Sequence, residues 1–401
     1  MAPWDIFQQT YALSSLSNAV QEKKRLKELQ KIAEQVIPAK IQNAANKGLQ
    51  GWEVVWGPTL WKHPQSPWRD PFTAADHTWY IAHNPAAAFP DGTFDTYTIA
   101  IAGTASLYGW LLDFKVGQVV DFDAFAKSWS PKPTPPSSVN DAQNSYIALG
   151  TAEGVATLLK TKAPQSAKSP GTTIVEFLNS VPPQSRIIFT GHSLGGALSS
   201  TLTLTVQLST KLSNIRAFPT AAPSPGNENF TRLFEAKNPP QAIGPKPWQT
   251  WNVNVAGSLD PVPQVWASDA QAHPKQNVTN IETFWGELSG ALLNIVSGFV
   301  SGATARTKRS KINFVPLPVA FFYPEAPSTP KTWLEWLQTF GKQHIYAYQT
   351  EFGVDLKAAG IESWAFTGEG LSSEDAETQP YLELLDVILN QQEEDPDTTE
   401  A

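Results

Sequence analysis

The chain has 401 residues, 41% of them hydrophobic and 16% charged, which is apolar content enough for a large buried core and too much for wholesale disorder. Its net charge of -8 excludes a general electrostatic attraction to nucleic-acid backbones, and its lack of cysteine excludes disulfides, thiolate metal sites and cysteine nucleophiles. With six histidines there is little material for a metal cluster, so no metal or cofactor is expected and covalent chemistry falls to a hydroxyl or a carboxylate.

Asp5, Gln8 and Gln9 interrupt the N-terminal segment where a signal peptide needs an unbroken apolar run, and no transmembrane segment is expected. These features predict a soluble protein, intracellular unless a leader has been removed; oligomeric state stays open. From Ser17 to Asn46, apolar residues at spacings of three and four predict a helix kinked at Pro38. Short strands follow at WEVVW, at HTWYIAH and from Phe94 to Ala102, which ends in the turn Gly103-Thr104. The Pro-rich run Ser128 to Ser138 reads as a loop. Helices are then predicted at NSYIALGTAEGVATLLK, TTIVEFLNS, from Leu194 and around Phe230 to Glu235. Strands fall at Arg186 to Thr190, Ile215 to Thr220 and Thr250 to Val255. Such alternation predicts an α/β protein with a mainly parallel central sheet, helices on both faces, helical insertions and an N-terminal helix. From Glu374 onward there are ten acidic residues and no Lys or Arg, a solvated tail with one helix at Tyr381 to Asn390.

Gly191-His192-Ser193-Leu194-Gly195-Gly196 lies between an apolar strand and a helix. That context gives a G-x-S-x-G match its meaning: the serine occupies a sharp strand-to-helix turn, and side chains at the flanking positions would clash. Ser193 is the candidate nucleophile, and the amide of Leu194 points to where an oxyanion would form. Nucleophile, acid and histidine occur in that order along such chains, which leaves His344 and, as runner-up, His273 for the base. Asp260, in a strand-end turn before Pro261 and Pro263, is the candidate acid, with Asp269 the alternative.

The set Gly103-Thr104 with Trp110 and Asp113, GHSLGGAL, AAPSPGNENF, Asp260-Pro261-Val262-Pro263 and His344-Ile345-Tyr346 resembles the fungal class 3 lipases, of alpha/beta-hydrolase fold, over roughly residues 90 to 350. The resemblance implies Ser193, Asp260 and His344 as the triad, Thr104 and Leu194 as the oxyanion hole, and Asp113 as support for the Thr104 hydroxyl. Ile101-Ala102 replaces the family's usual Phe-Arg, and disulfides usual in secreted members are absent. In the place of the family's lid stand Leu107, Tyr108, Trp110, Leu111 and Leu112. A second apolar stripe, Phe284, Trp285, Leu288, Leu292, Ile295 and Phe299, predicts an amphipathic cap or core helix. The domain plan is then an N-terminal helical segment (1–50), a catalytic domain (51–370) with insertions at about 105–139 and 267–315, and an acidic tail (371–401). The expected activity is hydrolysis of carboxylic esters such as acyl glycerides, with a lipid–water interface as a possible partner. Phospholipase A1, galactolipase or feruloyl-type esterase activity is the alternative within enzymes, and a catalytically silent lipid-binding protein the alternative outside them.

Overall fold

The computed structural model describes residues 3–20, 22, 24–62, 75–103 and 115–361. A seven-stranded sheet forms from β1 (Glu53–Trp61), β2 (His77–Phe89), β3 (Gly92–Ile101), β4 (Arg186–His192), β5 (Ile215–Thr220), β6 (Asn254–Gly257) and β7 (Val319–Phe322), placed side by side in that same order. The pairs β1/β2 and β2/β3 are antiparallel, whereas β3 through β7 run parallel, Ile99 sitting opposite Phe189 and Phe189 opposite Ala217. The longer helices are α1 (Ile6–Leu16), α2 (Leu26–Asn43), α3 (Leu149–Lys160), α4 (Leu194–Ser209), α5 (Glu228–Lys237), α6 (Gly290–Arg309) and α7 (Trp333–Gly341).

Strand periodicity sorts the side chains into two cores, because successive residues point to opposite faces. Ile99, Ile101, Ile187, Phe189 and Ala217 enter one core with α3, α4, α5, α6 and α7. Ala100, Ile188 and Phe218 enter the other, with α1, α2 and the helix Ala347–Phe352. Every residue of β4 is buried, as a central parallel strand covered by helices on both sides requires. Each large apolar side chain taken out of water there contributes roughly 1.5–3 kcal/mol.

Four elements differ from the sequence expectation. The helix predicted from Ser17 starts at Leu26, with Pro38 inside it, and a separate helix α1 precedes it, opened by a capping box between Asp5 and Gln8. Tyr146–Ala148 is a short strand paired with Val119–Asp121, so the helix predicted there begins at Leu149. The strand predicted over Thr250 to Val255 is two pieces, broken at Asn252 with φ 66°. Its side chain accepts from the Ala217 amide and donates to the Pro239 carbonyl. The predicted cap helix begins only at Gly290, because Gly286 (φ 99°) and Gly290 (φ 59°) turn the chain first. Leu292, Ile295 and Phe299 therefore lie on α6, whereas Phe284, Trp285 and Leu288 precede it. Among the described residues no helix is long and apolar enough to cross a membrane.

Candidate active site

Ser193 sits between the end of β4 and the first residue of α4, at φ 62° and ψ -129°. A non-glycine residue in such a conformation costs about 1–3 kcal/mol, so its surroundings must impose it. The Ser193 amide donates to the Thr220 carbonyl at 2.9 Å, and the Gly196 amide donates to the Ser193 carbonyl at 2.9 Å. Steric crowding explains the glycines. A Cβ on Gly191 would stand 2.1 Å from the Gly195 carbonyl oxygen, and one on Gly195 2.3 Å from that of Ile101. At Gly103, just beyond β3, a Cβ would meet the Ser193 Cβ at 3.2 Å, so the end of β3 runs against the serine. Ser193 makes no side-chain cap bond to α4, which leaves its hydroxyl unspent by the helix. The Leu194 amide, at the first helical position, has no carbonyl of its own helix to bond and carries the positive end of the helix dipole.

Asp260 follows β6 and is fully buried. A buried carboxylate needs donors, and three converge on it. His344 Nδ1 lies 2.9 Å from Oδ2 and 3.0 Å from Oδ1, the Tyr348 hydroxyl donates to Oδ2 at 2.7 Å, and the Val262 amide donates to Oδ1 at 3.0 Å. Tyr348 in turn accepts from the Gly257 amide at 3.0 Å. Burial, with the Asp260 charge second, pushes the Tyr348 hydroxyl well above its ordinary range and keeps it a donor. His344 is 3% exposed and lies in a π turn, Lys342–Tyr346, inserted between α7 and Ala347–Phe352. With Nδ1–H given to the carboxylate, Nε2 is the ring's free acceptor.

The predicted residues thus separate. Asp260 and His344 come together, whereas Asp269 is exposed and accepts from the Gln271 and Ala272 amides of its own loop, and His273 lies in that same loop. Thr104, Asp113, the lid residues Leu107, Tyr108, Trp110, Leu111 and Leu112, and the acidic tail lie outside the described residues. Tyr348 escaped the sequence reading; its one signal was its place one helical turn after His344. Beside the Asp260–His344 pair, Pro261, Val262, Val265, Ile281, Phe299, Trp336 and Phe340 line an apolar crevice. The Phe340 ring lies 5.3 Å from that of His344, and Trp285 and Trp333 both pack on Trp336. Trp285 also donates its indole N–H to the Leu259 carbonyl, one residue before Asp260.

Residues 98–269 match the family model described as lipase (class 3). The crystal structure of M37 lipase is similar over 91% of this chain and 99% of that one, at 22% identity and a TM-score of 0.64, and it shares the alpha/beta-hydrolase fold. Weaker likenesses are to nonglycosylated LIP2 lipase of Yarrowia lipolytica (16% identity, 64% of this chain and 73% of that one, TM-score 0.40) and to lipase II from Rhizopus niveus (15%, 65% and 73%, 0.38). No curated protein matches the chain. The resemblance carried by the motifs thus recurs in a family model and, independently, in the fold.

Proposed function

We propose that the chain is a serine carboxylester hydrolase acting on apolar esters such as acyl glycerides. The observation that carries this reading is the buried Asp260–His344 pair on the same end of the sheet as a serine whose hydroxyl its helix leaves unspent. Ser193 Oγ attacks the acyl carbon while His344 Nε2 takes its proton, and Asp260 orients the imidazole and stabilises its charged form. The Leu194 amide stabilises the tetrahedral oxyanion, with the Thr104 amide as the second donor implied by the family resemblance and Asp113 as its support. His344 then protonates the departing alcohol, and water, deprotonated by the same histidine, attacks the acyl-serine to release the acid. No cofactor enters these steps.

The apolar and aromatic side chains packed around His344 support an apolar substrate, because a polar head group placed against them would give up hydration without hydrogen-bond partners. The test is a panel of p-nitrophenyl esters from acetate to palmitate, triglyceride emulsion, phospholipid and methyl ferulate, run with wild type and Ser193→Ala. Long-chain esters should be preferred, and with triglyceride the rate should rise disproportionately once substrate passes its solubility limit. Acetate as best substrate with hyperbolic kinetics would assign an esterase. Wild-type inactivity on every ester would leave the lipid-binding alternative, and full activity in Ser193→Ala would remove Ser193 from its role.

A further inference from the structure

His192, next to Ser193, is 1% exposed, and two of its hydrogen bonds tie the two halves of the site together. Its Nε2 stands 2.8 Å from the backbone carbonyl oxygen of His344, and its Nδ1 2.9 Å from the Thr220 hydroxyl. A carbonyl only accepts, so Nε2 carries the proton and donates. Burial first, and the neighbouring His344 second, hold the His192 pKa well below the ordinary histidine value, so the ring is neutral and Nδ1 is an acceptor. The Thr220 hydroxyl has one proton to give, and its other acceptor, the Gly191 carbonyl, is at 3.5 Å; the shorter contact takes the proton. A directed chain results, from Thr220 on β5 through His192 on β4 to the backbone of His344.

The carbonyl that receives this bond belongs to the π turn Lys342–Tyr346. A π turn inside a helical run is an inserted residue, and its competitor is the α register, displaced by one residue. One residue is about 100° around a helix, enough to swing the imidazole out of reach of any group it faced. Asp260 restrains the ring of His344; the bond from His192 restrains its main chain.

We propose that His192 is a positioning residue: by fastening the His344 carbonyl to the strand that carries Ser193, it selects the register in which the imidazole addresses the serine hydroxyl. The inference rests on the roles given to Ser193 and His344 above. His192→Phe keeps aromatic bulk and loses the donor; His192→Gln restores a donor near the Nε2 position. Both are assayed on p-nitrophenyl butyrate, with competent molecules counted by stoichiometric p-nitrophenyl phosphonate labelling of Ser193. Per labelled site, His192→Phe should lower kcat by roughly 30- to 100-fold with KM within about twofold, and His192→Gln should recover to within about fivefold of wild type. A merely structural histidine would lower the number of labelled sites and leave kcat per site unchanged, which would overturn the proposal, as would equal losses in the Phe and Gln variants. If His192→Phe does not fold, Thr220→Val decides: a fall in kcat of about 3- to 10-fold at constant KM supports the chain of bonds, and an unchanged kcat refutes it. Failure of wild-type Ser193 to label at all would defeat the hydrolase reading itself.

Discussion

Two aspartate–histidine pairs stand at opposite ends of the central sheet, each with a serine nearby. Toward the amino ends of β3 and β4, Asp95 Oδ1 lies 2.6 Å from His83 Nε2, while its other oxygen accepts from the Ser185 hydroxyl. Beyond the carboxyl ends of the strands, Asp260 holds His344 at 2.9 Å on the side of the sheet where Ser193 emerges. The residue types are the same and the wiring is different. In the first cluster the carboxylate is in the middle, so the serine proton is already committed to an acid anion and no imidazole has access to it. In the second the histidine gives one nitrogen to the carboxylate and keeps the other free. Surroundings differ too: the side chains of His83 and Asp95 are 17% and 28% exposed, against 3% and 0% for His344 and Asp260. Water damps the first pair, whereas the second acts at low dielectric. Composition therefore does not set the wiring; the order of contacts and their burial distinguish the two clusters.

The sharpest way to break this comparison is through the serines. Ser193→Ala should lower kcat by about 10⁶-fold and Ser185→Ala should leave it within about twofold, measured on a soluble ester. Equal effects would abolish the distinction. The aspartates come next: Asp260→Asn should cost about 10⁴-fold in kcat, because the amide presents the wrong partner to the imidazole, while Asp95→Asn should show only a lower melting temperature at unchanged kcat.

A third, smaller effect concerns His77, on the same strand as His83 but more deeply buried, stacked on Trp61 with its Nδ1 unpartnered. Burial pulls its pKa from the ordinary 6.5 down to about 4. Between these values the unfolded chain takes up a proton that the folded chain refuses. Stability is thus fully present above pH 6.5, falls as pH drops toward 4, and loses about 3 kcal/mol in all. His77→Leu should flatten that slope in urea titrations at pH 7 and 4.5; an unaltered slope would show that other groups carry it. Smallest of the four, Tyr348→Phe takes one donor from Asp260 and should lower kcat by about tenfold while Ser193 labelling remains stoichiometric. No change in kcat would reduce Tyr348 to packing.

How far the sequence spoke depends on whether the cause of each feature is local. The elbow was legible because its glycines are required by contacts among near neighbours, Gly191 against Gly195 and Gly195 against the end of β3. Strand β4 was legible because burial on both faces writes an apolar run, Ile187 to Phe189. Asn252 was not, since its left-handed turn is held by bonds to Ala217 and Pro239 from other parts of the chain. The same holds for Tyr348 and Thr220, whose partners are remote in sequence. The start of α1 carries a readable signal, Asp5 and Gln8 three residues apart, the same polar residues that interrupt the apolar N-terminal run. For the stripe from Phe284 to Phe299, periodicity continued through two glycines whose positive φ only tertiary packing reveals.

The sheet's strand order has a consequence for biosynthesis. Since β1 to β7 lie side by side in the order in which they are translated, each new strand finds its partner already at the growing edge, and no gap waits for a late insertion. Ser193 and Asp260 are laid down along the way, but His344 and Tyr348 come after the last strand. A nascent chain stopped at β7 would own a complete sheet and a serine on its elbow, with neither an imidazole to draw its proton nor a tyrosine to quiet its buried carboxylate. The proposed chemistry is therefore available only once the polypeptide extends past His344 and Tyr348.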